Sequence, residues 1–524
     1  MFRAVALFPG PFTLEAAEAV AGPDAALAVL HVVDCSLLAA PRPGPDGRAR
    51  YLMLETLRAF GAERLAEAGE RDAAAAGMAA FALKVAEQAA AGLAGVPGEL
   101  AAGRWLDAED ATVHQVLAWA LEHDPGLAAR LAMALAPWWY LRGRWAIGCP
   151  LLAAAASVTA EGGPQWCAVK FWLGALTVWS DMAASLDHLT AVKDALSPHG
   201  PGPVLARALA WRALCLTWLG RYAEAIAEAR KGLSMARQVQ DPEGEAYALL
   251  YLGVAGLYAH DTERSRAWLV EAQRLDPAGV PGWVLREAAI MLAVELIDAG
   301  QTAEAQRYCA DALAMARRAG SLGDQAESLR VTADLDIMAG RMDEARAHLR
   351  QVIELCARIG YKVGLIDCLD SCTYLCTATA RWDQAVTMWA ACHAVLQAAG
   401  IDAGIPQGTQ RREQGLRDAR QALEPEQARA AEDRGAAMNL ATATQYALLL
   451  IADEPDQASP GLGLSARERE LVTLVAQGAT NAEIAARLHI SVRTVGSHLD
   501  RIRDKTGCRR RADLARLALQ AGLV

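Results

Sequence analysis

The sequence lacks the motifs of most enzymes and membrane proteins. No apolar run reaches the roughly 18 residues of a membrane span, and no basic segment with an apolar core follows Met1. The chain has only six lysines, none of which follows a glycine, so the sequence contains no nucleotide-binding P-loop. Ser-His-Asp, His-Glu-x-x-His and Gly-rich dinucleotide patterns are also missing. These absences predict a cytoplasmic protein that is not an enzyme, binds no cofactor and contacts no membrane.

The 11 cysteines show no disulfide-framework spacing, as expected in a reducing compartment. Cys368, Cys372 and Cys376 recur at every fourth position, which places three thiols on one face of a helix. A thiolate metal site or a redox sensor is conceivable there. Zinc ligands usually come in pairs from a tight turn, however, so we favour packing against neighbouring helices.

Aromatic residues are scarce at 6%, whereas the chain is 53% hydrophobic and rich in alanine. This composition favours helices that approach closely through small side chains, and we predict an all-α fold. A length of 524 residues exceeds that of one compact domain and predicts two to four units.

Turn signals recur every 40 residues through the middle of the chain. They begin at Gly220, His260, Gly300, Gly340 and Ala380. Each interval holds two stretches of helical length, which predicts a solenoid of helical hairpins. The phrase Gly220-Arg-Tyr-Ala-Glu-Ala225 resembles the tetratricopeptide repeat, and the longer period resembles the sensor arms of MalT-like regulators. We assign residues 71–425 to this repeat array, which is clearest over 203–400.

A solenoid of this kind presents a concave surface that suits a peptide, a protein partner or a small inducer. An inert spacer is the alternative. Several tryptophans at helical spacing favour core positions over a ligand groove: Trp138, Trp139, Trp172, Trp179, Trp211 and Trp218.

Two capping patterns of the form Ser/Thr-x-x-Glu mark successive helix starts near the C-terminus, at Ser465 and Thr480. A third helix starts after Ser491. Its apolar positions share one face: Val495, Leu499 and Ile502. The opposite face is polar and partly basic. A short helix, a tight turn and a second helix with a polar face predict a helix-turn-helix, whose second helix fits the major groove of DNA.

These residues resemble the LuxR-type DNA-binding domain. The matching phrases are Leu464-Ser465-x-Arg467-Glu468, Asn481-x-Glu483-Ile484-Ala485, Ser491-x-x-Thr494-Val495-x-x-His498 and Ile502-x-x-Lys505-x-Gly507. Thr506 stands where the family usually has leucine, which predicts looser packing at the end of the third helix. The resemblance implies a four-helix domain over residues 464–524, named here the C-terminal domain.

The resemblance also implies roles for individual residues. Three positions are expected to face base edges: Gly496, Ser497 and Asp500. Six are expected to lie near phosphates: Thr480, Asn481, Arg493, Thr494, Arg501 and Lys505. Because Gly496 and Ser497 are small, the recognition helix should approach the groove floor while forming few side-chain bonds to bases. Specificity would then depend on Asp500, on waters and on DNA shape.

The net charge of −10 is unevenly distributed. From Leu462 to Val524 there are 11 Arg and Lys against 6 Asp and Glu, which gives +5, and the remainder therefore carries −15. A basic segment joined to an acidic body suits a DNA-binding module, because affinity for phosphates depends on local cations.

The first seventy residues carry a second resemblance. Patterning over residues 1–70 predicts helices, a hairpin tip and a strand, at Thr13–Val20, Ala25–Leu38, Pro41–Gly47, Arg50–Leu54 and Glu55–Ala68. The phrases Leu7-Phe8-Pro9-Gly10 and Tyr51-x-Met53-Leu54-Glu55 resemble the winged-helix module of large ATPase regulators. Those regulators place a P-loop ATPase before this module. Either an upstream segment is missing from the sequence, or the regulator has lost its ATPase.

Residues 426–463 are expected to form a terminal helix and an acidic linker rich in proline and glycine. We hypothesise a LuxR-family transcription regulator whose repeat array senses a signal and sets the oligomeric state of the C-terminal domain. Expected partners are double-stranded DNA, RNA polymerase or another protein, and a small-molecule inducer, with a homo-oligomer on DNA. A protein-interaction scaffold and the C-terminal part of a signal-responsive ATPase regulator are the alternatives.

Overall fold

The computed structural model describes residues 1–401, 409–452, 464–488, 490–520 and 523, and its regular structure is almost entirely α-helical. One two-stranded antiparallel sheet is the only sheet in these described ranges. The predicted all-α class is therefore confirmed, and the one short hairpin lies at the tip predicted over Pro41–Gly47.

Residues 1–70 form short helices around this hairpin: α1 (Phe2–Val5), α2 (Leu14–Ala21), α3 (Ala25–Asp34), β1 (Arg42–Pro43), β2 (Ala49–Arg50) and α4 (Glu55–Glu67). The strand predicted over Arg50–Leu54 is wrong in extent. Only Ala49 and Arg50 pair with β1, Tyr51 forms an isolated bridge with Phe12, and Leu54 is already the N-cap of α4. Its backbone therefore leaves the extended conformation within a few residues of the hairpin.

The predicted helical hairpins are present. The helices are α5 (Arg71–Leu93), α6 (Val96–His123), α7 (Pro125–Leu141), α8 (Trp145–Ser157), α9 (Pro164–Thr177), α10 (Met182–Leu196), α11 (Pro203–Trp218), α12 (Tyr222–Gln238), α13 (Pro242–Tyr258), α14 (Thr262–Gln273), α15 (Gly282–Asp298), α16 (Thr302–Ala319), α17 (Leu322–Met338), α18 (Met342–Ile359), α19 (Lys362–Ala378) and α20 (Trp382–Ala398). A single 3₁₀ turn, Ser197–His199, follows α10.

The 40-residue turn signal has a backbone cause. All five predicted turn positions adopt a positive φ: Gly220 (72°), His260 (57°), Gly300 (74°), Gly340 (76°) and Ala380 (55°). Glycine adopts this left-handed conformation without steric cost, which explains its recurrence there. At His260 and Ala380 the fold imposes the same conformation on residues that disfavour it.

The two helices of each hairpin are buried differently. In α13, every residue from Ala246 to Leu257 is buried, whereas α12 buries only Ala225, Ala229, Gly232 and Ala236. The helices α11, α13, α15, α17 and α19, named here the inner helices, are thus enclosed by the rest of the array. The tryptophans predicted as core are indeed largely buried, with Trp138, Trp139 and Trp211 fully so.

Contacts between residues about 180 positions apart bring the early and late parts of the array together. Arg286 of α15 donates two hydrogen bonds to Glu99 of α6, at 2.7 and 2.9 Å, across 187 residues of sequence. Lys362 Nζ donates to the Ser180 carbonyl at 3.1 Å, and the Val96 amide donates to the Pro277 carbonyl at 2.9 Å. The early hairpins therefore lie against the late ones.

Three further helices follow: α21 (Thr409–Ala422), α22 (Pro425–Ala436) and α23 (Leu440–Ile451). The single terminal helix predicted after residue 424 is wrong, because the chain breaks it in two. Asn439 caps α23 by accepting a hydrogen bond from the Thr442 amide at 2.9 Å. Both α22 and α23 pack on α20. The predicted acidic linker falls mainly on residues 453–463, outside the described residues.

Cys368, Cys372 and Cys376 are buried on one face of α19. Burial raises the pKa of the Cys376 and Cys392 thiols to about 12, so both stay protonated at neutral pH. Across the described ranges, no three His, Cys, Asp or Glu side chains are grouped to hold a metal ion. In the same ranges no single helix is long and apolar enough to cross a membrane, although the bent pair α2 and α3 qualifies together by length and composition.

Candidate nucleic-acid interface

The C-terminal domain contains α24 (Ala466–Ala476), α25 (Asn481–Leu488), α26 (Val492–Thr506) and α27 (Arg511–Gln520). These helices enclose a core separate from that of the repeat array. Its buried members include Leu471, Val475, Ile484, Val495, Leu499, Ile502 and Leu514. The apolar face predicted for α26 is therefore the face that packs inward.

Local hydrogen bonds fix where each helix begins. The Ser465 amide donates to Glu468 at 2.7 Å, while the Glu468 amide donates to the Ser465 hydroxyl at 3.2 Å. Thr480 and Glu483 repeat this reciprocal pattern at α25. Ser491 accepts from the Thr494 amide at 3.1 Å and so caps α26. The sequence predicted all of these starts, because each capping box depends on residues only three positions apart.

The outer face of α26 carries the residues predicted to face bases. A Cβ atom built on Gly496 would meet no atom within 4 Å, so packing within the described protein does not require glycine there. Ser497 is exposed, and its hydroxyl donates to the Arg493 carbonyl at 3.2 Å. The Asp500 side chain is 70% exposed and accepts from Arg503 at 2.8 Å. All three lie on the face opposite the core.

The residues predicted to lie near phosphates occupy the starts of α25 and α26 and the outer face of α26. Arg493 and Arg501 are exposed. Asn481 accepts a 2.6 Å hydrogen bond from Arg511, which joins the start of α25 to α27. Thr480, Asn481, Arg493 and Thr494 therefore lie at the N-terminal ends of α25 and α26, where the helix dipole is positive.

Lys505 has a structural partner that the sequence did not reveal. Its ammonium group lies 2.7 Å from both carboxylate oxygens of Glu468. This bond, with the Ser465 amide, lowers the pKa of Glu468 to about 2. Lys505 therefore links α26 to α24, and only part of its charge is available to a ligand.

Three consecutive arginines that were not among the predicted site residues follow α26. Arg509 and Arg510 are exposed, and Arg511 donates hydrogen bonds to Asn481 and to the Ala479 carbonyl. The signal was present as an Arg-Arg-Arg run. With Arg493 and Arg501 it contributes to the net positive charge of the C-terminal domain.

The C-terminal domain also contacts α23 of the body. The Thr442 hydroxyl donates to the Ala476 carbonyl at the end of α24, at 2.9 Å. Leu519 of α27 packs against the core of the array. The side-chain nitrogen of Asn439 also lies close to Gly478, 3.0 Å from the position that a Cβ atom on residue 478 would occupy.

The sequence profile of the family described as bacterial regulatory proteins, luxR family, matches residues 462–518. The C-terminal domain belongs to the LuxR family. The match includes all four helices of the domain except the last residues of α27.

Two kinds of curated relative resemble the chain. The response regulator Rre1 of Synechocystis is 47% identical over 62 residues, which are 12% of this chain and 27% of that protein. A putative HTH-type transcriptional regulator of Mycobacterium tuberculosis is 28% identical over 299 residues, which are 54% of this chain and 29% of that protein. The chain thus spans less than a third of the length of these relatives.

Two solved structures share the helical architecture at low similarity. A Rap protein complexed with competence and sporulation factor has a TM-score of 0.44 and 14% identity, covering 68% of this chain and 97% of that one. A signal-transduction ATPase with a tetratricopeptide repeat sensor, from Pyrococcus horikoshii, has a TM-score of 0.38 and 15% identity, covering 82% and 64%. Scores this low add nothing to the fold described above.

Proposed function

We propose that this chain is a cytoplasmic DNA-binding transcription regulator whose helix α26 enters the major groove. The observation that carries the proposal is the outer face of α26. It is polar, open around Gly496 and flanked by the exposed arginines Arg493 and Arg501. Such a face offers close approach to base edges in its middle and cations for the phosphates at its sides.

Individual roles follow from position. Gly496, Ser497 and Asp500 would face the bases, and Asp500 would accept a hydrogen bond from a cytosine amino group. Arg493, Arg501 and Lys505 would contact phosphates, helped by Thr480, Asn481 and Thr494 at the helix starts. One domain supplies few base contacts, so a homo-oligomer on paired half-sites would give useful discrimination.

The repeat array would supply the signal by binding a small inducer, RNA polymerase or another protein. The contact between α23 and the C-terminal domain supports this role, because α23 also packs on α18, α19 and α20. A change in the array that moves α23 would change the position of the C-terminal domain. A protein-interaction scaffold would share this architecture without needing a basic recognition face, whereas the C-terminal part of a signal-responsive ATPase regulator would need that face as well.

The experiment is selection of binding sites by the full chain from a random DNA library. The proposal expects one enriched sequence, and Asp500→Ala should alter the preferred base at one or two positions of each half-site. The same selection with Asp343→Ala, an exposed change on α18, should return the wild-type sequence. Failure of the wild-type chain to enrich any sequence would favour the scaffold.

A further inference from the structure

The inner helices surround a small cavity whose wall includes aromatic, aliphatic and charged side chains. Its volume is about 40 Å³, and the aromatic members of its wall are Trp179, Trp218, Tyr251, Tyr258, Trp283 and Tyr361. Trp179 packs edge-on against Tyr361, with ring centroids 5.3 Å apart. Since a water needs roughly 10–15 Å³ by this measure, the space suits about three non-hydrogen atoms.

Charged side chains complete the wall, and their balance is negative. Glu287, Glu327 and Asp367 face a single guanidinium, that of Arg330. Arg330 donates to one oxygen of Glu327 at 3.1 Å. Three carboxyl groups around one cation leave the cavity short of positive charge.

Two buried oxygens at this wall have no hydrogen-bond donor or acceptor within the described part of the chain. One is Oε1 of Glu327, whose residue is 6% exposed, and the other is the hydroxyl of Tyr251, at 2%. Buried polar atoms are nearly always paired in folded proteins. A carboxylate oxygen can be satisfied only by a donor, and a charged donor bonds it best.

We propose that this cavity binds an alkylammonium group, either of a free amine or at the end of a lysine side chain. An ammonium group supplies three N–H donors, of which Glu327 and Tyr251 can each accept one. The aromatic faces favour a cation and also cover its carbon atoms. A carboxylate or phosphate would be repelled, and an apolar group would leave the two oxygens unpaired. The inference deepens and rests on the sensing role proposed above, because it names the chemical class of the signal.

The Glu287 carboxyl adds a pH dependence. Burial, with the nearby carboxylates of Glu327, Asp324 and Asp367, raises the pKa of Glu287 to about 8 despite the opposing effect of Arg330. Without a bound cation, this group is therefore mostly protonated at pH 7. A bound ammonium group would favour the ionised form of Glu287, so binding should release a proton. The affinity should therefore increase as the pH rises from 6 to 8, by up to about tenfold per pH unit.

The test is titration of the full chain, without DNA, followed by tryptophan fluorescence, because Trp179, Trp218 and Trp283 line the cavity. Ethylammonium should bind saturably with a dissociation constant of about 1 mM, near the limit for three non-hydrogen atoms. Ethanol, of the same size but uncharged, should show no saturable change. N-acetyl-lysinamide distinguishes the sources: tighter binding than ethylammonium indicates a lysine side chain, and weaker binding a free amine.

Substitutions in the cavity wall test whether ethylammonium binds there. Glu327→Gln should weaken ethylammonium binding at least tenfold, and Tyr251→Phe about threefold, while Glu287→Gln should remove the pH dependence. Glu295→Gln, the same change at a buried carboxyl on α15 outside the cavity wall, should bind as wild type. Equal binding of ethanol and ethylammonium, or wild-type affinity in folded Glu327→Gln and Tyr251→Phe, would overturn the assignment. Because no DNA is present, failure of the DNA-binding proposal would leave this result unchanged.

Discussion

A substitution at Gly496 should have opposite effects on the stability of the C-terminal domain and on its affinity for DNA. A helical glycine costs about 0.5–1 kcal/mol relative to alanine, and nothing in the described protein occupies the space of its missing Cβ. We expect Gly496→Ala to stabilise the C-terminal domain by about that amount. The same methyl group should hinder approach to the groove floor and weaken DNA binding about tenfold, or ~1.4 kcal/mol.

Gly323 provides the matched control, since it is also helical and also has open space around a built Cβ. Gly323→Ala should leave DNA affinity unchanged. Hydrogen exchange of α26 and fluorescence anisotropy with labelled DNA measure the two effects. If Gly496→Ala binds DNA as tightly as wild type, the close approach of α26 is refuted.

The ionisation of Glu287 should make the stability of the folded protein depend on pH. Its carboxyl has a raised pKa, about 8 in the folded protein against 4.5 in the unfolded chain. Between these pH values the folded state binds the extra proton, so stability falls as pH rises, by at most about 1.4 kcal/mol per pH unit for one group. Glu287→Gln removes this proton, and its stability relative to wild type should rise steadily from pH 5 to pH 8. Urea unfolding across that range measures the difference, and a constant difference would show that Glu287 ionises normally.

At the scale of single elements, the turns between helices carry measurable strain. Ala380 adopts φ 55° at the same position of its hairpin as Gly340 in the preceding one. The left-handed conformation costs a residue with a side chain about 1–2 kcal/mol, part of which is offset by the greater unfolded-state entropy of glycine. Ala380→Gly should therefore stabilise the protein by about 0.5–1 kcal/mol in urea unfolding.

Ala339 is the matched control, because it is likewise exposed at the end of an inner helix but has an ordinary φ of −85°. Ala339→Gly should destabilise by about 0.5–1 kcal/mol. Equal effects of the two substitutions would mean that Ala380 is unstrained.

Some of these elements could be predicted from the sequence and others could not. The hairpins and the starts of α24, α25 and α26 were predictable because glycine turns and capping residues act within a few positions. The break between α22 and α23 was missed because this alanine-rich stretch contains few residues that end a helix. Asn439, the N-cap of α23, is by itself only a weak indication of a new helix start. The partner of Lys505 was missed because Glu468 lies 37 residues away. Base and phosphate roles remain predictions from the family resemblance.

At the scale of the whole molecule, the closed array is the feature that no local pattern indicates. Its contacts join residues about 180 positions apart, such as Arg286 with Glu99, and the cavity wall includes a contact of the same kind between Trp179 and Tyr361. An open solenoid frays from its ends, whereas a closed one should unfold as a single unit. Glu99→Gln weakens the buried pair but leaves Arg286 its contact with Asp324.

We expect Glu99→Gln to cost about 1–3 kcal/mol and to broaden the urea transition. Glu224→Gln, which disrupts the exposed pair with Arg221 on one hairpin, should leave the transition unchanged. A sharp wild-type transition in Glu99→Gln would indicate that closure does not couple the hairpins.

The central claim is that α26 and its flanking arginines bind DNA, and its salt dependence tests the claim most directly. The full chain is titrated with its selected DNA site by fluorescence anisotropy from 50 to 300 mM salt, beside Arg493→Ala and Arg221→Ala. Affinity should fall steeply with salt, and the slope of log K against log salt should shrink by about one in Arg493→Ala but not in Arg221→Ala. Salt-independent binding, or equal slopes in wild type and Arg493→Ala, would contradict the account.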